Sequence, residues 1–103
     1  MFALNQTTAS DLSLAGSLTI YEVAQARDAL LAAFAESRDA SWRLDLHELG
    51  ELDSAGAQLL LAAHRHLREA GGDLQLSALS EAARELLGLL NLGTLLTGEP
   101  HAQ

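Results

Sequence analysis

Apolar and polar residues alternate in several short stretches of this chain, and between them the spacing lengthens to that of a helix. In "DLSLAGSLTIY", residues 11–21, Leu12 and Leu14 precede Gly16, and Leu18 and Ile20 follow it. The period of two with a glycine between predicts two short strands joined by a tight turn. The residues up to about Ser10 carry no clear pattern. From Tyr21 the period changes. Val23, Ala26, Leu30, Ala33 and Phe34 fall on one face of a helix, while Gln25, Arg27 and Asp28 fall elsewhere. Thr19 and Glu22 have the spacing of a capping box at its start, and the turn-like residues from Ser37 to Ala40 should end it.

Alternation returns in "WRLDL", where Trp42, Leu44 and Leu46 oppose Arg43 and Asp45, and predicts a half-buried strand. "HELGEL" reads as a connection to Asp53, and a second helix runs from about Ser54 to Ala70. Gly71 and Gly72 stand where a helix closes. Leu74, Leu76 and Ala78 give one face of a further strand, and Ser80 caps a third helix ending around residues 91–93. The tail after it, with the only proline, is expected to fray.

Strands alternating with helices argue for an α/β domain: a mixed sheet of about four to five strands with helices packed against it. At 103 residues the chain has the size of one domain, spanning 1–103 with its core at about 12–92. Seven leucines crowd the eleven positions from Leu86 to Leu96. That is more than one helix face needs, so they either close the end of a small core or form an exposed apolar interface.

Composition narrows the choice of partners. The chain carries six Lys and Arg against fourteen Asp and Glu, a net charge of −8. Phosphate backbones are held by cations, so nucleic acid and anionic membrane surfaces are poor partners, whereas a basic patch on another protein is a good one. There are no cysteines, hence no disulfide framework and no thiolate chemistry. No apolar run approaches the roughly 20 residues of a membrane span, and the first residues lack the basic-then-apolar order of a signal peptide. A cytoplasmic protein is expected.

Catalytic sets do not form on paper. Ser54 lies beside Asp53, but the nearest histidines, His64 and His66, are about 15 Å further along the helix, and there is no nucleophile elbow. His64 and His66 are two apart and point in different directions, so they do not clamp one metal. With His47 they read as surface residues, and no cofactor or metal is expected. The remaining candidate is the mouth of the second helix, whose first N–H groups lack partners and carry partial positive charge. Asp53 and Ser54 are both preferred capping residues, worth about 1 kcal/mol. A phosphate on Ser54 would suit the same geometry.

At these residues the chain resembles a family. "LDLHELGELDSAGAQLLLAAHRHLREAGGDLQLSALSEAARELLGLLNL" is similar to a STAS domain, the fold of the bacterial anti-sigma factor antagonists. The pattern is an apolar strand, a loop ending in Asp-Ser-Ser-Gly or Asp-Thr-Ala-Gly, a helix, a glycine pair and another strand. It extends over about Leu12 to Leu92. The resemblance implies a non-enzymatic module that binds a protein partner. In the antagonists that partner is an anti-sigma factor and serine kinase, which phosphorylates the second hydroxyl residue of the motif. Here that place is held by Ala55, and Ser54 matches the first hydroxyl position.

Two branches of the family carry such an alanine. One is the STAS proteins of chemotaxis gene clusters, where a histidine kinase or other chemotaxis component is the implied partner. The other is the STAS subunit of a phospholipid-transport ABC system, held against the ATPase. "LTIYEV" and Gln58 after the motif look nearer the chemotaxis group. The expected contact surface is Asp53, Ser54, Ala55, Gly56 and Gln58, with Ser54 as cap and Gly56 admitting a partner's backbone. A third reading is an antagonist phosphorylated at Ser54. The leucine-rich third helix also leaves room for a homodimer.

Overall fold

The structure, a computed structural model, describes residues 1–36 and 41–92. Its elements are β1 (Phe2–Gln6), β2 (Asp11–Leu18), α1 (Val23–Ala35), β3 (Ser41–Asp45), β4 (Leu49–Leu52), α2 (Ser54–Glu69), β5 (Asp73–Ser77) and α3 (Glu81–Leu89). The strands form one mixed sheet in the order β1-β2-β3-β5, with β4 also pairing with β2. β1 runs antiparallel to β2, and the other pairings are parallel. The expected small α/β architecture with a mixed sheet is therefore the observed one.

Four details differ from the sequence reading, the simplest being Ala78, which lies exposed beyond the end of β5 with φ +49° and is not part of the strand. The opening residues form a strand, β1, whose Phe2 and Leu4 are half-buried between exposed neighbours. Phe2, Ala3 and Leu4 are contiguous apolar residues followed by polar ones, so no period of two shows. Gly16 does not turn the chain: β2 continues through it to Leu18. Its φ of +92° accompanies a register shift between Gly16 and Ser17, which is the work of a bulge. The first part of β2 pairs with β3, and beyond the shift Ser17 and Leu18 pair with Glu51 and Leu52 of β4. "HELGEL" is accordingly not a plain connection, because its second half is β4.

The register explains the core. Leu12, Leu44 and Leu76 lie side by side on one face, as do Trp42 and Leu74, and all five are buried. The opposite face carries Asn5, Ser13, Asp45 and Ser77 in one row and Asp11, Arg43 and Gln75 in the next. The helices meet the leucine face through Ala26, Leu30 and Phe34 of α1, Ala57, Leu60, Ala63 and Leu67 of α2, and Ala83 and Leu87 of α3. Phe34 packs against Trp42 with ring centroids 5.4 Å apart.

The helix ends follow the local chemistry. α2 closes with Gly71 at φ +90°, where the Gly72 and Gly71 N–H groups donate to Leu67 and Arg68. α3 closes the same way, with Asn91 at φ +57° and Leu92 donating to Leu87. Both are Schellman ends with a residue that tolerates the left-handed region. Ser80 caps α3 by accepting from Ala83 N at 3.2 Å. The turn expected at Ser37 to Ala40 and the fraying expected in the tail lie outside the described residues. So do Leu95 and Leu96 of the leucine cluster.

Candidate functional site

The mouth of α2 is built by Asp53. Its Oδ1 accepts from Gly56 N at 2.9 Å, which caps the helix. Its Oδ2 accepts from Ile20 N at 3.0 Å, in the loop between β2 and α1. One carboxylate thus satisfies an orphan donor of the helix and ties down the neighbouring loop. Ser54 is the first residue inside the helix and is not the cap, contrary to the sequence reading. Two capping residues in a row left the choice open, and the extended backbone at Asp53 settles it: φ is −113° and ψ −176°. Ser54 is exposed, and its hydroxyl has no hydrogen-bond partner among the described residues.

Ala55 is half-buried and Gln58 is exposed one turn further on. Gly56 is buried, and the close approach it permits is to the chain itself. A Cβ there would overlap the Leu18 carbonyl oxygen and come within 2.7 Å of Leu52 Cδ1. Its bare Cα is what seats the first turn of α2 on the end of β2, leaving no room for a partner's backbone.

The loop beside the mouth is held by Glu22. Its Oε1 accepts from Thr19 N at 2.9 Å and from Thr19 Oγ1 at 2.6 Å, and its Oε2 accepts from the Met1 amine at 2.9 Å. These bonds, the amine's first and Thr19's next, lower the carboxyl pKa to about 2. Half of the expected capping box is present: Glu22 reaches back to Thr19, but the Thr19 hydroxyl donates to Glu22 and does not cap α1. The loop so fixed presents Ile20 and Tyr21 outward, 61% and 89% exposed. The alternation predicts a strand through Ile20, whereas Ile20 lies in the loop. Alternation alone did not reveal that β2 ends at Leu18.

On the other side of Asp53 lies a shallow groove of about 350 Å³ between β4 and α3. Thr19, Leu52, Asp53, Leu86 and Leu89 are among the residues lining it. Leu89 is 80% exposed, whereas Leu87 is buried, so the leucine-rich helix is divided between the core and the surface. Glu51 and Glu85 also line the groove, and Glu48 and Glu81 line the adjoining one. The result is an apolar patch around the helix mouth, fringed by carboxylates.

His64 is the other correction. It is buried, 6% exposed, and its Nε2 lies 3.2 Å from Asp73 Oδ1 at the start of β5. That contact lacks hydrogen-bond alignment, since Asp73 Oδ1 has no directed partner among the described residues, and the imidazole is held there by packing. Its position on the buried side of α2, four residues after Leu60 and three before Leu67, was visible in the sequence but outweighed by its polarity. His66 is exposed and stacks near Phe34, and His47 is exposed in the turn before β4. No group of His, Asp or Glu among the described residues has the arrangement to hold a metal ion. Among the same residues no helix is long and apolar enough to cross a membrane.

A mixed five-stranded sheet with three helices packed on its leucine face, and a helix mouth capped by Asp53, defines a small α/β domain. The chain belongs to the STAS family: the family model described as "Mlab, STAS domain" matches residues 2–97. Among solved structures, the anti-sigma factor antagonist SpoIIAA in its unphosphorylated form is similar, with a TM-score of 0.73. The identity is 24%, over 90% of this chain and 83% of that one. The Bacillus cell fate determinant SpoIIAA in its phosphorylated form gives a TM-score of 0.66 at 24% identity, covering 90% and 86% of the two chains. An anti-sigma factor antagonist from Mycobacterium paratuberculosis gives 0.71 at 20% identity, covering 93% and 81%. At these identities the likeness establishes the fold. None of the curated protein sequences matches the chain.

Proposed function

We propose that this protein is a non-enzymatic docking module of bacterial signalling whose partner sits on the mouth of α2. The observation that carries the reading is that Asp53 has exposed large apolar residues on both sides: Ile20, whose N–H it binds, with Tyr21 next in the chain, and Leu89, which lines the same groove as Asp53. Large apolar side chains so exposed at one place mark an interface. Ser54 and Gln58 supply exposed polar contacts at its centre, Ala55 a small half-buried one, and Asp53 holds the platform in shape. Catalysis by Ser54 is disfavoured because the nearest histidine on α2, His64, is buried against Asp73. Ala55, standing where the antagonists carry their phosphoacceptor, supports docking that is not switched by the usual phosphorylation.

Within this reading a chemotaxis histidine kinase, or another component of that system, is the favoured partner, on the strength of "LTIYEV" and Gln58. A second reading is an accessory subunit held against the ATPase of a phospholipid-transport ABC system. Ala55 and the match to the family described as "Mlab, STAS domain" favour it. A third, an antagonist phosphorylated at Ser54, draws on the exposed hydroxyl at a helix N-terminus. The test is capture from cells of the source organism with wild type, Ser54→Glu and Leu89→Glu side by side. Calorimetry with the purified partner follows. The expected result is one partner retained by wild type and lost by both variants, its identity choosing among the readings. Equal retention by all three would remove the helix mouth as the docking site.

A further inference from the structure

Sheet edges are normally protected, because unpaired N–H and C=O groups invite another strand, and charged side chains are the usual protection. In this sheet the edge strand β5 follows that rule with Asp73, and the edge strand β1 departs from it. β2, β3, β4 and β5 each contain at least one charged residue, whereas the edge strand β1, "FALNQ", contains none. Among the described residues β1 pairs with β2 on one side and with no strand on the other. In a chain of net charge −8, a strand without charge is where a second, equally acidic copy meets the least repulsion.

The geometry of β1 is self-complementary. Ser17 N donates to Met1 O at 2.7 Å, and in the register that pairs Ala3 with Ala15 and Asn5 with Ser13 this makes the odd-numbered residues the ones bonded to β2. In an antiparallel ladder bonded and non-bonded pairs alternate. The N–H and C=O groups of Phe2, Leu4 and Gln6 therefore point away from β2, to the free edge. We propose that β1 is a homodimerisation edge, in which two copies pair antiparallel about a two-fold axis at Leu4. Phe2 of each copy then faces Gln6 of the other, and every outward group is matched by the same group of the second copy, as an isologous contact requires.

The side chains agree with the backbone. Phe2 and Leu4 are half-buried on the face shared with α1. Beside them runs an apolar groove of about 250 Å³ whose lining includes Leu4, Leu12 and the alanines Ala29, Ala32 and Ala33 of α1. The pairing brings the second copy's Phe2 next to Gln6, at this groove. Glu36 is the single charge in the lining. Because the strands run antiparallel, the two Glu36 residues lie at opposite ends of the contact and do not oppose each other. This edge is separate from the mouth of α2, and the inference does not depend on the docking role proposed above.

Two measurements on the full chain test the proposal together: mass by sedimentation equilibrium and amide hydrogen exchange by NMR, both from micromolar to millimolar chain concentration. The mass should rise from that of one 10.9 kDa chain toward twice that value. The Phe2, Leu4 and Gln6 amides should become protected in step with it, while those of Ala3 and Asn5 are protected throughout. Leu4→Lys places two like charges directly opposite each other and should leave a single-chain mass at all concentrations. Gln6→Pro deletes one outward donor per copy without touching the bonds to β2 and should weaken association by about tenfold. A constant single-chain mass for wild type overturns the proposal. So does dimerisation that survives Leu4→Lys, or dimerisation that leaves the three outward amides unprotected.

Discussion

At the scale of single residues, the motif divides its labour in a way its letters do not show. Asp53 is structural: both of its oxygens accept backbone N–H groups, one on the helix and one on the adjoining loop. Ser54 beside it makes no such bond and is available to the outside. Asp53→Ala should therefore destabilise the fold by about 1–2 kcal/mol, as loss of an N-cap does. Ser54→Ala should change stability by no more than about 0.5 kcal/mol, like other surface substitutions. Urea unfolding of the two variants beside wild type checks this, and a costly Ser54→Ala with a harmless Asp53→Ala would reverse the assignment. At Gly56 the sequence suggests the approach of a partner's backbone, whereas the backbone that lies against it is that of Leu18.

At the scale of elements, β2 is the strand on which the others depend. It pairs with β1 along one side and along the other passes from β3 to β4. Gly16 makes the change of register possible. With φ +92°, an added Cβ would lie 2.5 Å from the Met1 carbonyl oxygen. Gly16→Ala should cost about 1–3 kcal/mol through backbone strain, and the amides of β4 should lose hydrogen-exchange protection more than those of β5. A neutral substitution would show that the bulge is incidental. The same glycine explains why a turn was expected here. A glycine between two apolar pairs is the signature of a hairpin and of a bulge alike, and only the pairing partners distinguish them.

At the scale of the whole molecule, the acidic balance brings a pH dependence that Glu22 sharpens. Its carboxyl pKa is lowered from 4.5 to about 2 by the Met1 amine and then by Thr19. A pKa depressed by folding contributes stability that is fully present above the unfolded value and is lost as pH falls through the folded one. The stability of wild type should therefore decline between about pH 4.5 and pH 2 more steeply than that of Glu22→Gln. Denaturant midpoints measured across that range check it, and parallel curves for the two proteins would remove Glu22 from the account. The Glu22 bonds also hold the loop that presents Ile20 and Tyr21, so the proposed docking surface should loosen over the same interval.

What the sequence determined by itself was whatever short-range periodicity and capping chemistry encode. That includes the three helices, the β3 and β5 strands with Trp42, Leu44, Leu74 and Leu76 facing inward, and the glycine closure after α2. The Asp-Ser-Ala-Gly stretch between strand and helix belongs with them. Each of these rests on residues within a few positions of one another. The tertiary structure decided what depends on a distant partner. β1 and β4 are short and weakly patterned, and they are strands because β2 supplies their hydrogen bonds. His64 is buried because α2 lies against β5, and Gly56 is needed because Leu18 passes beneath it. Ile20, Tyr21 and Leu89, almost seventy positions apart at the extremes, come to the two sides of Asp53 only when Asp53 ties the loop to the helix and α3 packs beside β4. Local pattern specifies elements, whereas a surface is made by the packing that sets elements side by side.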